Sequence, residues 1–306
     1  MHFLSKDRPH LYWDKTNKPI LTVKAGETVV FETLDTCYGR VRSLEQYMAY
    51  RASGVPSNPL TGPVAIEGAE PGHTLIVNIQ KIELDDSGFQ LLGPNRAIVK
   101  DEYTDWMCYQ VRIEHGDIVL PSGIRLPASP IIGALGVAPG DEPTKLSGRC
   151  GGNLDVPEIR AGTRMYIPIE SPGALFSLGD LHARQGDGEV VGAPEIGGKV
   201  TVQFDLIKEA FCDWCMVEDD TDWHTICPGP SKYEAIRAGT FHNAKFIAKE
   251  HGIDPKDALI LLTMTNRIKC SRTFGWGDNP AVICCSFPKE IVRQATAGYR
   301  PQTAGG

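Results

Sequence analysis

Between Gly179 and Glu189 the chain reads Gly-Asp-Leu-His-Ala-Arg-Gln-Gly-Asp-Gly-Glu, placing three carboxylates, an imidazole and an amide in one short stretch. Carboxylate oxygen and imidazole nitrogen bind divalent cations, and both groups also move protons. Successive side chains on extended chain alternate faces, so Asp180 and His182 would point the same way, roughly 6–7 Å apart. The same spacing pairs Asp187 with Glu189, and the glycines between the pairs allow both to converge on one cation. The competing reading is a solvated hairpin turn, because Gly, Asp and Gln are ordinary turn residues.

Further oxygen-bearing groups stand at similar places. Asn153 and Asp155 form another i, i+2 pair, while Leu154 and Val156 face the opposite way. Asp35 follows the apolar run Thr28–Thr33, where a strand leaving its sheet can aim a polar end. Taken alone, Asp35 reads as a loop-start carboxylate. Softer chemistry is offered by Cys212, Cys215, His224 and Cys227, whose Cys-x2-Cys-x8-His-x2-Cys spacing has the four ligands of a structural zinc site. Buried reduced cysteines are the ordinary alternative.

The elements that must position these groups are mostly strands. The 32 glycines and 22 prolines favour many short connections. Ile20–Val23 and Thr28–Thr33 are extended runs joined through Lys24–Glu27. Val64–Ile66 is a short strand, and Leu75, Val77 and Ile79 alternate with Ile76, Asn78 and Gln80, as in a half-buried strand. Turns are expected at Asp85-Asp86-Ser87-Gly88 and Pro121-Ser122-Gly123, and Tyr47 to Gly72 reads as turn-rich. Ala174–Leu178 is the apolar strand from which the Asp180 stretch emerges. The glycine-bearing run Ile131–Pro139 lacks the Gly-Lys-Ser/Thr of a phosphate loop, so it predicts close backbone packing against a pocket. Farther on, Lys232–His251 has helical spacing with Gly252 as its stop, and Asp254-Pro255 opens a second helix. Ile268–Cys270 and Ala281–Phe287 read as strands, with Gly275-Trp276-Gly277-Asp278 turning between them. The expected organisation is a β-rich core over 1–200 carrying the site, an α/β unit over 201–295, and a loose tail over 296–306.

Composition narrows the partners. A net charge of −7 without a basic face disfavours nucleic acid. No apolar run is long enough to span a bilayer. The N-terminus turns charged at once, unlike a signal peptide, and the nine cysteines show no disulfide framework. These features predict a reducing, cytoplasmic setting.

The blocks Cys150-Gly151-Gly152-Asn153-Leu154-Asp155, Tyr166-Ile167-Pro168-Ile169 and Pro172 to Val190 resemble the acetamidase/formamidase family. Asn58 to Val64, Glu67 to Gly72 and Ile132 to Pro139 match its earlier parts, so the resemblance runs in order over roughly residues 1–295. It implies a mainly β architecture, with a β-sandwich or jelly-roll-like core and a barrel-like region. It also implies hydrolysis of small amides or related C–N bonds, a divalent metal in some members, and a homo-oligomer. The matching positions are Asp35, Asn153, Asp155, Asp180, His182, Gln185, Asp187, Glu189 and Glu195. Many members carry histidine where this chain has Cys150, and a thiolate there would favour softer metals such as zinc.

On that basis the expected metal ligands are Asp35, Asp180 and His182, with zinc as the ion and calcium as the alternative. Glu189 is the expected general base, Asp187 its orienting partner, and Asn153 the donor to the substrate carbonyl. Asp155, Gln185, Glu195 and Cys150 are expected to support ligands or substrate. The expected substrate is a linear amide such as formamide or acetamide, releasing ammonia. Other readings are a cyclic imide or cyclic amide hydrolase, a thiol amidase using Cys37 or Cys150, and a non-enzymatic β-sandwich binding module.

Overall fold

The computed structural model describes residues 1–94, 98–99, 101–273 and 281–293. Strand Phe176–His182 runs antiparallel between Leu60–Ile66 and Ile131–Gly136. A second group of strands is built on Glu195–Ile207, which pairs with both Thr28–Thr33 and Thr74–Leu92. The two groups join where Leu181 and His182 pair with Ile196 and Glu195. Alternation explains the layering. Along Thr28–Thr33, Val29, Phe31 and Thr33 turn inward while their neighbours are less buried. Phe31, Phe176 and Phe204 are fully buried between the layers and meet edge to face, with ring centroids 5.1–6.4 Å apart. Burying each such ring contributes about 2–3 kcal/mol. The fold is the mainly β architecture the sequence predicts.

The C-terminal part continues the same sheet. Met216–Glu218 pairs with Arg164–Pro168 and with Asp222–Gly229. Ala281–Pro288 then lies between Asp222–Gly229 and Arg267–Arg272. Helices Lys232–His251 and Pro255–Thr265 pack on one face through a cluster that includes Trp223, Phe246 and Phe287. Their ends are set by local chemistry. Ser231 accepts from the Glu234 N–H, Gly252 ends the first helix at φ 64°, and Asp254 caps the second ahead of Pro255. Strand Glu195–Ile207 runs through residues 200 and 201, where the β core and the α/β unit are expected to meet.

Two local expectations need correction. Residues Leu44–Ala52 form a helix capped by Ser43, whose second half from Tyr47 on falls in the region that reads as turn-rich. The expected turn at Asp85-Asp86-Ser87-Gly88 is instead part of the unbroken strand Thr74–Leu92. Gly88 serves close approach there: a Cβ on it would lie 2.0 Å from the Glu195 carbonyl oxygen. The expected turn at Gly275–Asp278 and the tail at 296–306 lie outside the described residues. Among the described residues no helix is long and apolar enough to cross a membrane.

Candidate active site and metal-binding cluster

The strand Phe176–His182 ends at the seam between the two groups of strands and delivers Asp180 and His182 there, 2% and 1% exposed. Asp180 Oδ1 stands 3.6 Å from His182 Nε2, and Asp155 Oδ1 stands 4.0 Å from the same nitrogen. Glu195, the strand partner of His182, brings Oε2 to 3.8 Å. Glu189 is buried beside them, and all five residues meet at this seam. Asn153, Asp155, Asp180, His182, Glu189 and Glu195 line a cavity of about 410 Å³, together with residues such as Trp13, Tyr47, Tyr50 and Leu91.

Hydrogen bonds fix the directions of these groups. Gln185 Nε2 donates to the carbonyl oxygens of Asp155, at 2.6 Å, and Ser271, at 3.2 Å. Its Oε1 is therefore the acceptor facing His182 Nδ1 at 2.8 Å, which makes Nδ1 the donor and leaves Nε2 aimed at the carboxylates. Asp155 Oδ2 accepts from Asn153 Nδ2 at 2.8 Å and from Arg272 Nη1 at 2.7 Å. Asn58 Nδ2 donates to Asp180 Oδ2 at 3.0 Å and to Asn153 Oδ1 at 3.1 Å. One oxygen of each of Asp155, Asp180 and Glu189 is buried with no hydrogen-bond partner. Such orphaned acceptors are costly unless something else satisfies them.

The backbone is also unusual here. Asn58, Asp155, Asp180 and Glu189 all have positive φ, at 62°, 53°, 57° and 36°. Each such residue costs of order 1 kcal/mol or more, and strain of this kind collects at functional sites. Gly133 lies directly behind the cluster: a Cβ would sit 2.8 Å from both Asp155 Oδ1 and the Asp180 carbonyl oxygen. This is the close packing against a pocket predicted for Ile131–Pro139.

Electrostatics follow from burial and crowding. Burial raises Glu189 well above the ordinary carboxylate range, and the Asp155 charge adds to the effect. Burial also raises Asp155, against the pull of Arg272. For Asp180 burial pushes upward, yet His182, Glu195 and Arg272 together hold it below its usual value. Burial lowers His182, but Asp180, Glu195 and Asp155 outweigh it and raise the imidazole well above its ordinary value. These shifts arise because four carboxyl groups are crowded, three of them buried, around one guanidinium and one imidazole. The one-imidazole, two-carboxylate set of Asp155, Asp180 and His182, with donor atoms within 4.8 Å of one another, has the chemistry of a divalent-cation site.

The expected residues fare differently. Asp180, His182, Asn153, Asp155, Gln185, Glu189 and Glu195 come together. Asp35 does not join the donor cluster. Its Oδ1 accepts from the Cys37 and Gly39 N–H groups, at 3.0 and 2.7 Å, and its Oδ2 pairs with Arg42 at 2.8 Å. Asp187 is half exposed and lies 3.9 Å from Lys269. The expected shared face of Asp187 and Glu189 requires extended chain, but Gly188 at φ 100° and Glu189 at 36° turn the backbone between them. Cys150 is buried outside the cavity lining, and burial, reinforced by Glu170, raises its thiol strongly. Cys37 does line the cavity.

The four expected structural-zinc residues do not converge. His224 and Cys227 are three apart on strand Asp222–Gly229, so they project from opposite faces of the sheet. Cys215 Sγ donates to the Arg149 carbonyl at 3.2 Å, and Cys212 Sγ lies 3.9 Å from the Tyr166 carbonyl. Arg272, Asn58 and Ser147 are the site residues the sequence reading passed over. Arg272 Nη2 donates to Ser147 Oγ at 3.0 Å. Asn58 stands in a block matched to the family, which was its one available signal.

Fold and cluster together define a mainly β protein with a buried site of carboxylates and one imidazole. The chain belongs to the Acetamidase/Formamidase family, whose model matches residues 4–146 and 137–234. It is an enzyme of C–N bonds other than peptide bonds. A crystal structure of acetamidase from Bacillus halodurans superposes with a TM-score of 0.89 at 30% identity, covering 96% of this chain and 100% of that one. The formamidase of Methylophilus methylotrophus is 26% identical across 89% of this chain and 81% of its own length. The acetamidase of Mycolicibacterium smegmatis is 27% identical over 65% of this chain and 66% of its own.

Proposed function

We propose that the chain hydrolyses small linear amides of the formamide and acetamide kind, releasing ammonia, with a divalent ion held by Asp155, Asp180 and His182. The observation that carries this reading is the convergence of two orphaned carboxylate oxygens and an oriented imidazole nitrogen from residues that line one cavity. When bound, the ion lowers the pKa of water and polarises the amide carbonyl. An imidazole ligand favours zinc over calcium, which takes oxygen donors.

The protein's own groups supply the remaining chemistry. Gln185 holds the His182 tautomer that presents Nε2 to the cluster. Asn153 keeps Asp155 in place with one N–H, and its second N–H is available for the developing oxyanion. Glu189, a buried carboxyl group in the cavity lining, accepts the proton of the attacking water and hands it to the departing nitrogen. The apolar wall of Trp13, Leu60 and Leu91 excludes bulk water and receives the acyl end.

The test combines elemental analysis of purified protein with ammonia release over formamide, acetamide and cyclic amides before and after exhaustive chelation. Activity is expected to fall with the metal, to return on adding zinc, and to be lost together with the metal in His182→Ala and Asp180→Asn. Activity that survives complete metal removal and disappears in Cys37→Ser would instead establish a thiol amidase.

A further inference from the structure

A second group of donors lies apart from the active-site cluster. Asp222–Gly229, Ala281–Pro288 and Arg267–Arg272 form three adjacent strands, in which His224 pairs with Ser286, and Cys284 pairs with both Ile226 and Lys269. Alternation therefore sets His224, Cys284 and Ser286 on one face, whereas Cys227 and Cys285 face helix Lys232–His251. The turn after Val156 places Glu158 above the first face, beside a cavity of about 380 Å³ that also reaches Asp219.

We propose that Glu158, His224 and Cys284 form a second metal site, for a soft divalent ion of the zinc class. One carboxylate oxygen, one imidazole nitrogen and the thiol sulfur lie within 4.8 Å of one another, and all three residues are buried. Tetrahedral zinc with these donors needs ligand separations of about 3.3–3.8 Å, so small side-chain rotations close the set. One atom points to a missing partner. Glu158 Oε2 has no hydrogen-bond partner on a side chain that is 7% exposed. His224 Nε2 is buried, with the Asp219 carboxylate 3.2 Å away as its neighbour. His224 is oriented for the task by Ser286 Oγ, 2.8 Å from Nδ1. Lys269 occupies only Oε1 of Glu158, at 2.6 Å, and leaves Oε2 to the ion.

Binding forms a bond from the Cys284 sulfur to the ion and releases the thiol proton to solvent. The bound ion would tie the 156–160 turn, which follows Asp155, to the C-terminal sheet. The site is independent of the amidase reading, because its ligands take no part in that chemistry.

Cobalt(II) titration of the intact protein tests the proposal. Sulfur ligation gives a near-ultraviolet charge-transfer band, which the all-nitrogen-and-oxygen donors of the active site cannot give. The band is expected in the wild type, to vanish in Cys284→Ser, and to persist in Cys285→Ser. Should Cys284→Ser fail to fold by circular dichroism, Glu158→Gln is expected to weaken band formation by more than about tenfold. Elemental analysis after zinc equilibration should fall by one equivalent in Cys284→Ser and Glu158→Gln, and by one further equivalent when His182→Ala is added to either. No band in folded wild type at saturating cobalt, or a band unchanged in Glu158→Gln, overturns the proposal.

Discussion

Arg272 and Asp155 form a buried ion pair across the molecule, with Nη1 2.7 Å from Oδ2 and side chains 0% and 3% exposed. The guanidinium comes from strand Arg267–Arg272, so the C-terminal part of the chain completes a site whose acids come from the β core. Its Nη1 also donates to the Asn153 carbonyl, at 3.0 Å, and holds both residues of that pair.

Removing the guanidinium leaves Asp155 among other carboxylates without its counter-charge. Arg272→Met is expected to cost about 3–5 kcal/mol in urea unfolding, because breaking a buried pair strands the remaining charge. Asp155→Asn in the same background should recover part of the loss. A change below about 0.5 kcal/mol in the single variant would show that the pair holds no structure.

Glu189 is assigned proton transfer rather than ligation. Glu189→Gln should therefore lower kcat by about 10²–10⁴ while metal content and KM change little. Loss of the metal in this variant would place Glu189 among the ligands instead.

Gly133 tests the packing behind the cluster. Its open side meets Asp155 Oδ1 and the Asp180 carbonyl, each 2.8 Å from where a Cβ would stand. Gly133→Ala is expected to cost about 1–3 kcal/mol and to reduce metal affinity along with turnover, since the methyl group must push the ligands apart. Unaltered metal binding would show that the strand yields instead.

His242 makes stability pH-dependent far from the active site. Burial lowers its pKa to about 4 from the ordinary 6.5, while Nε2 accepts the Asp213 N–H at 3.2 Å. Between these values the unfolded chain binds a proton that the native state refuses, so stability rises with pH across this window and falls on acidification. The expected loss from pH 6.5 to 4 is up to about 3 kcal/mol. His242→Gln should flatten this part of the Tm-against-pH curve, and an unchanged slope would remove His242 as its cause.

Much of the chemistry was legible in the sequence because it lies in compact blocks. Asp180 with His182 and Asn153 with Asp155 could be paired by strand spacing, and the family blocks tied Glu189, Glu195 and Gln185 to them. The helices after Ser231 and Asp254 were readable because capping is local. The same local logic failed wherever the backbone left its regular path. Asp187 and Glu189 separate because Gly188 and Glu189 take positive φ. Asp35 carries the right chemistry, yet Arg42 and two backbone N–H groups claim its oxygens.

The sequence by itself determined the mainly β class, the caps of the later helices and the residue types of the buried acidic cluster, since each depends on alternation, turns or short spacing. Only the tertiary structure decided which carboxylates meet His182, that Arg272 faces Asp155 across 117 positions, and that His224 sits with Cys284 rather than Cys227. Those outcomes depend on strand pairing between distant segments and on which face each pleat presents. Spacing along the chain does not encode either one.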